Sequence, residues 1–322
     1  MKKTVWIDFD PEKLDYSYLT DRFQAAGYDV IAEVVDFHNE DAIIEYGLRS
    51  DAVVCQWEVW NEHTLSAVKD KVKFLMKFGI GTNNIDIPYA TKMGIPVANI
   101  AGANASAVAE VALFHIMNCG RRFTYSAEGV RNGKWPCMYL GTELDGKTVG
   151  LYGYGNIAKQ LIRMLSGFNV EILVYNRHVP TVIPDNVQFV DSLDALFKRS
   201  DFVSLHGPHT PETERSINSC YFNLMKPNAC LINTCRGAVV NEEDLIAALK
   251  EGKIRGAGLD VLTSEPPEFS NELLHMENVT VTTHMGANAR ESDERAMVTI
   301  ADSIIDFFNG KQPKNVLNKE VF

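Results

Sequence analysis

Short apolar runs separated by polar, helix-compatible stretches recur along this chain. In the first hundred residues the runs are 5–9, 29–35, 52–55, 74–78 and 97–100, bounded by Gly, Pro, Asn or Asp. Each is too short for a helix and reads as a strand. Strand then helix, repeated, is the pattern of a parallel sheet with crossover helices. Residues 104–122 hold Ala-Val-Ala-Glu-Val-Ala-Leu-Phe-His-Ile-Met and predict a long helix, with Asn104 or Ser106 as N-cap. Residues 131–147 read as a connector. A second alternating series follows, with apolar runs at 148–152, 170–175, 202–205, 230–233, 256–261 and 279–282, and a last helix at about 290–308. The pattern predicts two α/β units in tandem, divided near residues 100–104. It leaves open which unit receives the tail beyond 290.

A length of 322 residues suits two domains, each with its own core. The composition, 46% hydrophobic and 23% charged, is that of a soluble globular protein. Net charge is 31 − 42 = −11 with His neutral. That argues against a general phosphate-backbone binder, which needs basic patches, but leaves room for a local basic pocket. The start, Met1-Lys-Lys-Thr-Val-Trp-Ile-Asp8, has too brief an apolar run for a secretory signal, so a cytoplasmic protein is expected. No run approaches the roughly 18 apolar residues of a spanning helix. The cysteines at 55, 119, 137, 220, 230 and 235 form no Cys-x-x-Cys pair, and are expected to be reduced thiols with neither a disulfide framework nor a metal site.

Two constellations carry chemistry. The first is Gly153-Tyr-Gly-Asn-Ile-Ala158, between the run 148–152 and a predicted helix at 156–166. Gly153 permits the tight turn, Gly155 lets backbone approach a pyrophosphate, and Ala158 is small enough for close helix–strand packing. The helix start would offer its N–H groups to phosphates. Alone, the motif is equally an ordinary strand–helix turn; its place between strand and helix favours a dinucleotide. The next strand ends Val174-Tyr-Asn-Arg-His178, where an NAD enzyme usually places an acid. Asn176 is neutral and Arg177 can pair with a 2′-phosphate, which favours NADP. The alternative is that Arg177 and His178 are solvated and NAD is held through Asn176.

The second constellation is Arg236, Glu265 and His284, in Asn233-Thr-Cys-Arg-Gly237, Ser264-Glu-Pro-Pro267 and Thr282-Thr-His-Met-Gly286. An arginine fork matches a carboxylate, an imidazole transfers protons near neutral pH, and an adjacent carboxylate orients it. Each follows a predicted strand. Individually they read as a surface ion pair, a solvated acid and a cap; jointly, at three strand ends, they point to a 2-hydroxy or 2-oxo acid. Cys235, beside Arg236, is either a cation-stabilised thiolate or, preferably, a packed thiol.

Together the motifs resemble the D-isomer-specific 2-hydroxyacid dehydrogenases. The match includes Phe78-Gly-Ile-Gly-Thr-Asn-Asn-Ile-Asp86, Gly94-Ile-Pro-Val97, Val108-Ala-Glu110, Gly153–Ala158, Ser204-Leu-His-Gly-Pro208 with Pro211-Glu-Thr213, Gly258-Leu-Asp-Val261 and the Arg, Glu and His signatures in order. The resemblance implies two Rossmann-like or flavodoxin-like domains with parallel sheets and a cleft between them. Residues 1–101 plus 291–322 would form a discontinuous substrate domain, and 102–290 a dinucleotide-binding domain. It implies that Arg236 binds the substrate carboxylate, that His284 is the acid/base and that Glu265 is its partner. Ile80 and Gly81 would bind substrate through backbone N–H groups. Trp57, read from the residue itself, either lines the substrate pocket and favours an apolar side chain or, as is commoner for tryptophan, belongs to the core. Gly153, Gly155, Asn156, Ile157, Asn176, Arg177, His206, Pro208, Thr213, Thr234, Asp260 and Gly286 would bind NADP or NAD. It further implies a homodimer joined through the cofactor domains, with Trp135 near the interface.

The chain departs from the family at Thr283 and Ala101, each where Pro is usual, and at His209, where Leu is common. Gln56-Trp57 replace the Arg-Ser that phosphoglycerate-using members tend to carry, which argues against a phosphorylated substrate. The expected function is NAD(P)-dependent interconversion of a small non-phosphorylated 2-oxo acid, such as glyoxylate, hydroxypyruvate or a pyruvate analogue, and its D-2-hydroxy acid. The alternative is a nucleotide-sensing, corepressor-like binding protein on the same scaffold. Neither nucleic acid nor membrane is an expected partner.

Overall fold

The computed structural model describes residues 2–135 and 140–322; Cys137 lies outside them. The chain forms two compact units, Met1–Asn104 with Ala289–Phe322, and Ala105–Asn288. In the first unit, strands β1 (Thr4–Ile7), β2 (Asp29–Ala32), β3 (Ala52–Cys55), β4 (Phe74–Lys77) and β5 (Val97–Asn99) form one parallel sheet in the order β2-β1-β3-β4-β5. The period-2 alternation of a strand divides the core between its faces. Val5, Ile7, Phe74 and Met76 pack with Ile300 and Ile304 of the helix Arg290–Phe308. Trp6, Val53 and Leu75 pack with Trp60 and Leu65 on the other side. The C-terminal helix thus completes the core of the first unit, the point that the sequence pattern leaves open.

The second unit contains β6 (Thr148–Tyr152), β7 (Glu171–Tyr175), β8 (Val187–Phe189), β9 (Phe202–Leu205), β10 (Cys230–Asn233), β11 (Gly256–Leu259) and β12 (Val279–Val281). All pairings are parallel, in the order β12-β11-β10-β9-β6-β7-β8. This is a doubly wound sheet whose order reverses between β6 and β9, where ligands gather in such folds. The helix Asn156–Leu165 buries Ala158, Leu161, Ile162 and Leu165, the i, i+3, i+4, i+7 stripe of an amphipathic helix. They join Val149, Leu151, Ile172 and Val174 in one core cluster.

Three local expectations are corrected. The long helix runs Ala105–Arg121, so Ser106 lies inside it and is no N-cap, while Asn104 Oδ1 is buried without a hydrogen-bond partner and does not cap either. A helix at Phe123–Arg131 precedes the connector, where the apolar pattern gives none. The edge strand β8, three residues long, also escapes the pattern, because Pro184 and Asp191 close in on it from both sides.

Candidate active site

All three residues of the Arg–Glu–His constellation stand on loops at the carboxyl edge of the second unit's sheet. After β10 the chain turns sharply at Thr234-Cys-Arg236. Buried Asn233 staples that turn: its Oδ1 accepts from the Cys235 amide (3.0 Å) and its Nδ2 donates to Arg236 O (3.0 Å). Gly237 then lies flush against the loop after β11. A Cβ there would stand 1.9 Å from the Leu262 carbonyl carbon, so only glycine lets the two loops meet. On the β11 loop, Glu265 Oε1 accepts from the Leu262 amide (2.9 Å), and its Oε2 lies 2.6 Å from His284 Nδ1. Burial pushes the Glu265 carboxyl up, but the hydrogen bonds from His284 and Leu262, with the charges of His284 and Arg236, outweigh it and hold it below its ordinary value. The carboxylate fixes Nδ1 as the donor, so on the neutral ring Nε2 is the acceptor. His284 and Glu265 both remain partly exposed.

His284 adopts left-handed backbone, φ 51°. A side chain there costs on the order of 1–3 kcal/mol and persists only when its surroundings hold it. They do: the His284 amide donates to Asp260 O (2.8 Å), and the Asp260 carboxylate accepts from Met285 N (3.0 Å), Gly286 N (2.8 Å) and Thr282 Oγ1 (2.5 Å). Asp260 and Gly286 thus meet each other, and the carboxylate of Asp260 is engaged within the protein.

The glycine loop sits where the sheet order reverses. Gly153 has φ 105°, and a Cβ on it would come within 2.8 Å of His206 O, so the β6 and β9 loops also touch through bare backbone. Nothing lies within 4 Å of the place a Cβ would take on exposed Gly155, which caps the helix Asn156–Leu165. Asn156 is exposed and Ile157 half-buried. Asn176 Oδ1 accepts from the Tyr154 amide (3.2 Å) and its Nδ2 donates to His178 O (2.7 Å), so its amide shapes the loop. Arg177 is exposed. Its charge reaches Glu212, whose carboxyl is held below its ordinary value first by the Thr210 hydroxyl and in part by Arg177. Thr213 braces its own loop, accepting from the Thr210 amide (2.7 Å) and donating to Pro208 O (2.8 Å).

Two further polar atoms expected to face the cofactor, His206 Nδ1 and Thr234 Oγ1, are buried without a hydrogen-bond partner, as is His209 Nε2. Orphaned buried groups are costly unless a ligand or water satisfies them. Burial also lowers the His206 pKa to about 4, so it is a neutral donor–acceptor at working pH. The bare backbone at Gly155, the helix start and these orphans suit a nicotinamide dinucleotide. Burial raises the Cys235 thiol to about 11 against the pull of Arg236, so Cys235 is a packed thiol and not a thiolate.

In the first unit, Trp57, Ile80 and Gly81 follow the carboxyl ends of β3 and β4. Trp57 is 64% exposed, with the Lys77 ammonium 5.0 Å from its ring centroid, and so is not a core tryptophan. Asn99 Nδ2 donates to Ile80 O (3.0 Å) and fastens that turn. Sequence reasoning misses Asn233, Thr282 and the fully buried His115, whose Nε2 lies 3.0 Å from Thr282 Oγ1. The available signal is His115 and Asn118, spaced i, i+3 on a helix otherwise apolar on that face.

Residues 113–286 match the family model for the D-isomer specific 2-hydroxyacid dehydrogenase, NAD binding domain. A glyoxylate reductase from Thermococcus litoralis is 40% identical over 78% of this chain and 78% of its own length. A hydroxypyruvate reductase from Thermotoga maritima is 39% identical over 72% of this chain and 76% of its own. Among solved structures, an acyclic imino acid reductase in complex with NADPH and D-Arg superimposes with a TM-score of 0.87 at 28% identity, covering 98% of this chain and 99% of that one. The doubly wound sheet and the match to the NAD binding domain mark a nicotinamide-dependent oxidoreductase. The chain belongs to the D-isomer specific 2-hydroxyacid dehydrogenases.

Proposed function

We propose that this protein reduces small, non-phosphorylated 2-oxo acids to D-2-hydroxy acids, with glyoxylate and hydroxypyruvate as leading substrates. The observation that carries the reading is the 2.6 Å contact between His284 Nδ1 and Glu265 Oε2, within the field of Arg236. The nicotinamide cofactor supplies the hydride. Arg236 clamps the substrate carboxylate, His284 Nε2 delivers the proton to the carbonyl oxygen, and Glu265 stabilises the imidazolium before delivery. Ile80, Gly81 and Trp57 bind the substrate, so the first unit is the substrate domain and Ala105–Asn288 the cofactor domain. The names of the relatives from Thermococcus litoralis and Thermotoga maritima support the substrate class.

Gly153, Gly155, Asn156 and Ile157 take the pyrophosphate, and His206, Pro208, Thr213, Thr234, Asp260 and Gly286 face the rest of the cofactor. NADPH is preferred over NADH, since the strand end carries exposed Arg177 beside Asn176 where an acid would select the 2′-hydroxyl. The protein acts as a homodimer. Phe114, Phe123, Val130, Trp135 and Leu140 expose apolar surface along the second unit's first helices and connector, which favours burial against a second copy. A cytoplasmic location fits the free thiols at 55, 119, 220, 230 and 235. Among the described residues no helix is long and apolar enough to cross a membrane, and no group of three or more His, Cys, Asp or Glu side chains is gathered to hold a metal.

The test is steady-state oxidation of NADPH and of NADH with a panel of 2-oxo acids. Turnover of glyoxylate or hydroxypyruvate, faster with NADPH, is the expected result. Tight nucleotide binding without turnover of any acid would replace the enzyme reading with that of a nucleotide sensor.

A further inference from the structure

The helix Ala105–Arg121 packs against β11 and β12 through a polar lane in an otherwise apolar interface. His115 is fully buried and Asn118 is 1% exposed. Asn118 Nδ2 donates to Thr280 Oγ1 (2.7 Å), and His115 Nε2 meets Thr282 Oγ1 (3.0 Å). The i, i+3 spacing on the helix is thereby matched to the i, i+2 spacing of one face of the strand and its extension. Gly258 makes the room: a Cβ there would lie 2.6 Å from His115 Cβ and 2.8 Å from its Nδ1.

The direction of each hydrogen bond follows from the last acceptor. The Asp260 carboxylate accepts only, so the Thr282 hydroxyl gives its proton to Oδ1 (2.5 Å). The Thr282 oxygen then accepts from His115 Nε2–H, which assigns that tautomer to the neutral ring. Asp260 in turn holds the amides of Met285 and Gly286 with its carboxylate and that of His284 with its carbonyl. The chain of contacts therefore runs from a buried imidazole on the helix to the backbone of the left-handed residue that carries the acid/base side chain.

We propose that His115 and Thr282 are positioning residues for His284, acting through Asp260 to keep the 284–286 turn in the conformation that presents the imidazole to substrate. Neither residue reaches the substrate; both set the geometry of a group that does. Burial, partly opposed by the Asp260 charge, lowers the His115 pKa to about 4, so the neutral donor persists throughout the working range. The proposal rests on the assignment of His284 as the acid/base group, and the test separates the two.

The test pairs variants that break the chain with variants that restore it: His115→Leu with His115→Gln, whose amide replaces the Nε2 donor, and Thr282→Val with Thr282→Ser. Two readouts are taken. The first is amide hydrogen exchange of His284, Met285 and Gly286 in the unliganded protein, which needs no substrate. In Thr282→Val, which loses the hydrogen bond to the Asp260 carboxylate, and in His115→Leu, which loses the bond that orients that hydroxyl, it accelerates about tenfold or more. The second is steady-state kinetics, in which kcat falls about 10–100-fold while KM stays within about threefold, the cost of a misplaced catalytic group. Gln and Ser recover most of both. Wild-type exchange and kcat in the Leu and Val variants overturn the proposal, as does a failure of Gln and Ser to improve on them. If His115→Leu does not fold, the Thr282 pair decides. Should the wild-type protein turn over no 2-oxo acid, the proposed function fails while the exchange experiment still judges the positioning chain.

Discussion

His284 and Glu265 meet at 2.6 Å although they stand nineteen positions apart with a strand between them, each held by its own backbone fastening. Glu265 is tied to Leu262 N, and His284 is tied to Asp260 O. Each half of the pair is thus held by its own loop. Glu265→Gln keeps the shape but removes the charge that stabilises imidazolium. It is expected to lower kcat about 10²-fold or more, with little change in KM for the 2-oxo acid. A variant with wild-type kcat would show that Glu265 does no more than shape the loop.

Arg236→Lys keeps the charge and loses the fork. A point charge cannot reproduce two parallel hydrogen bonds to a carboxylate, so KM for the 2-oxo acid is expected to rise about 10–100-fold. Nucleotide affinity, measured by fluorescence titration, should not change. An unaltered KM would remove the clamp from the account.

Arg177→Ala tests cofactor choice. KM for NADPH is expected to rise about tenfold and that for NADH to stay level, since only the former carries a 2′-phosphate. Equal losses with both nucleotides would mean that Arg177 touches what they share, or nothing specific.

The buried histidines predict a one-sided loss of stability in acid. Burial lowers both His115 and His206 from 6.5 to about 4, with the Asp260 charge partly opposing the shift at His115. Between those values the unfolded chain binds protons that the folded chain refuses. Their contribution is therefore complete above about pH 6.5 and is lost as pH falls toward 4. Melting temperatures across this range should fall with pH, and the slope should flatten in His115→Gln. An unchanged slope would show that His115 is not a source of the loss.

The first unit predicts the opposite sign at one place. Asp8 and Glu58 are buried side by side; desolvation raises both carboxyls, and the hydrogen bond and charge of Asp8 raise Glu58 further. The folded pair keeps a proton that the unfolded chain gives up. Its stabilising contribution is full below the ordinary carboxylate range and is lost as pH rises through the raised value. Glu58→Gln mimics the protonated acid and should melt higher than wild type by about 2–4 °C per kcal/mol regained at pH 8–9. That gain should vanish near pH 5. A gain that does not vary with pH would point to packing instead.

The alternating apolar pattern makes eleven of the twelve strands among the described residues legible, because buried parallel strands are continuous Val, Ile and Leu runs such as Val53-Val54 and Leu231-Ile232. It fails where other chemistry governs. Strand β8 is an edge element three residues long, and the helix Phe123–Arg131 buries no residue, so neither leaves an apolar signature. At the site, Arg236, Glu265 and His284 are legible because they follow strands in order. Their fastenings are not. Asn233 and Thr282 sit among ordinary strand-end residues, and nothing local reveals that Gly237 meets the backbone of Leu262 or that Gly258 yields space to His115. Such complementarity between distant segments exists only once the sheet has formed. Nor does anything local reveal that the Asn176 amide braces its loop through Tyr154 and His178.

The central claim is that His284 is the acid/base group of a 2-oxo-acid reductase, and His284→Ala measures it most directly. With the best acid of the panel and saturating NADPH, the account predicts kcat lower by about 10²–10⁴-fold, with an unchanged dissociation constant for NADPH. A variant that retains wild-type kcat/KM contradicts it.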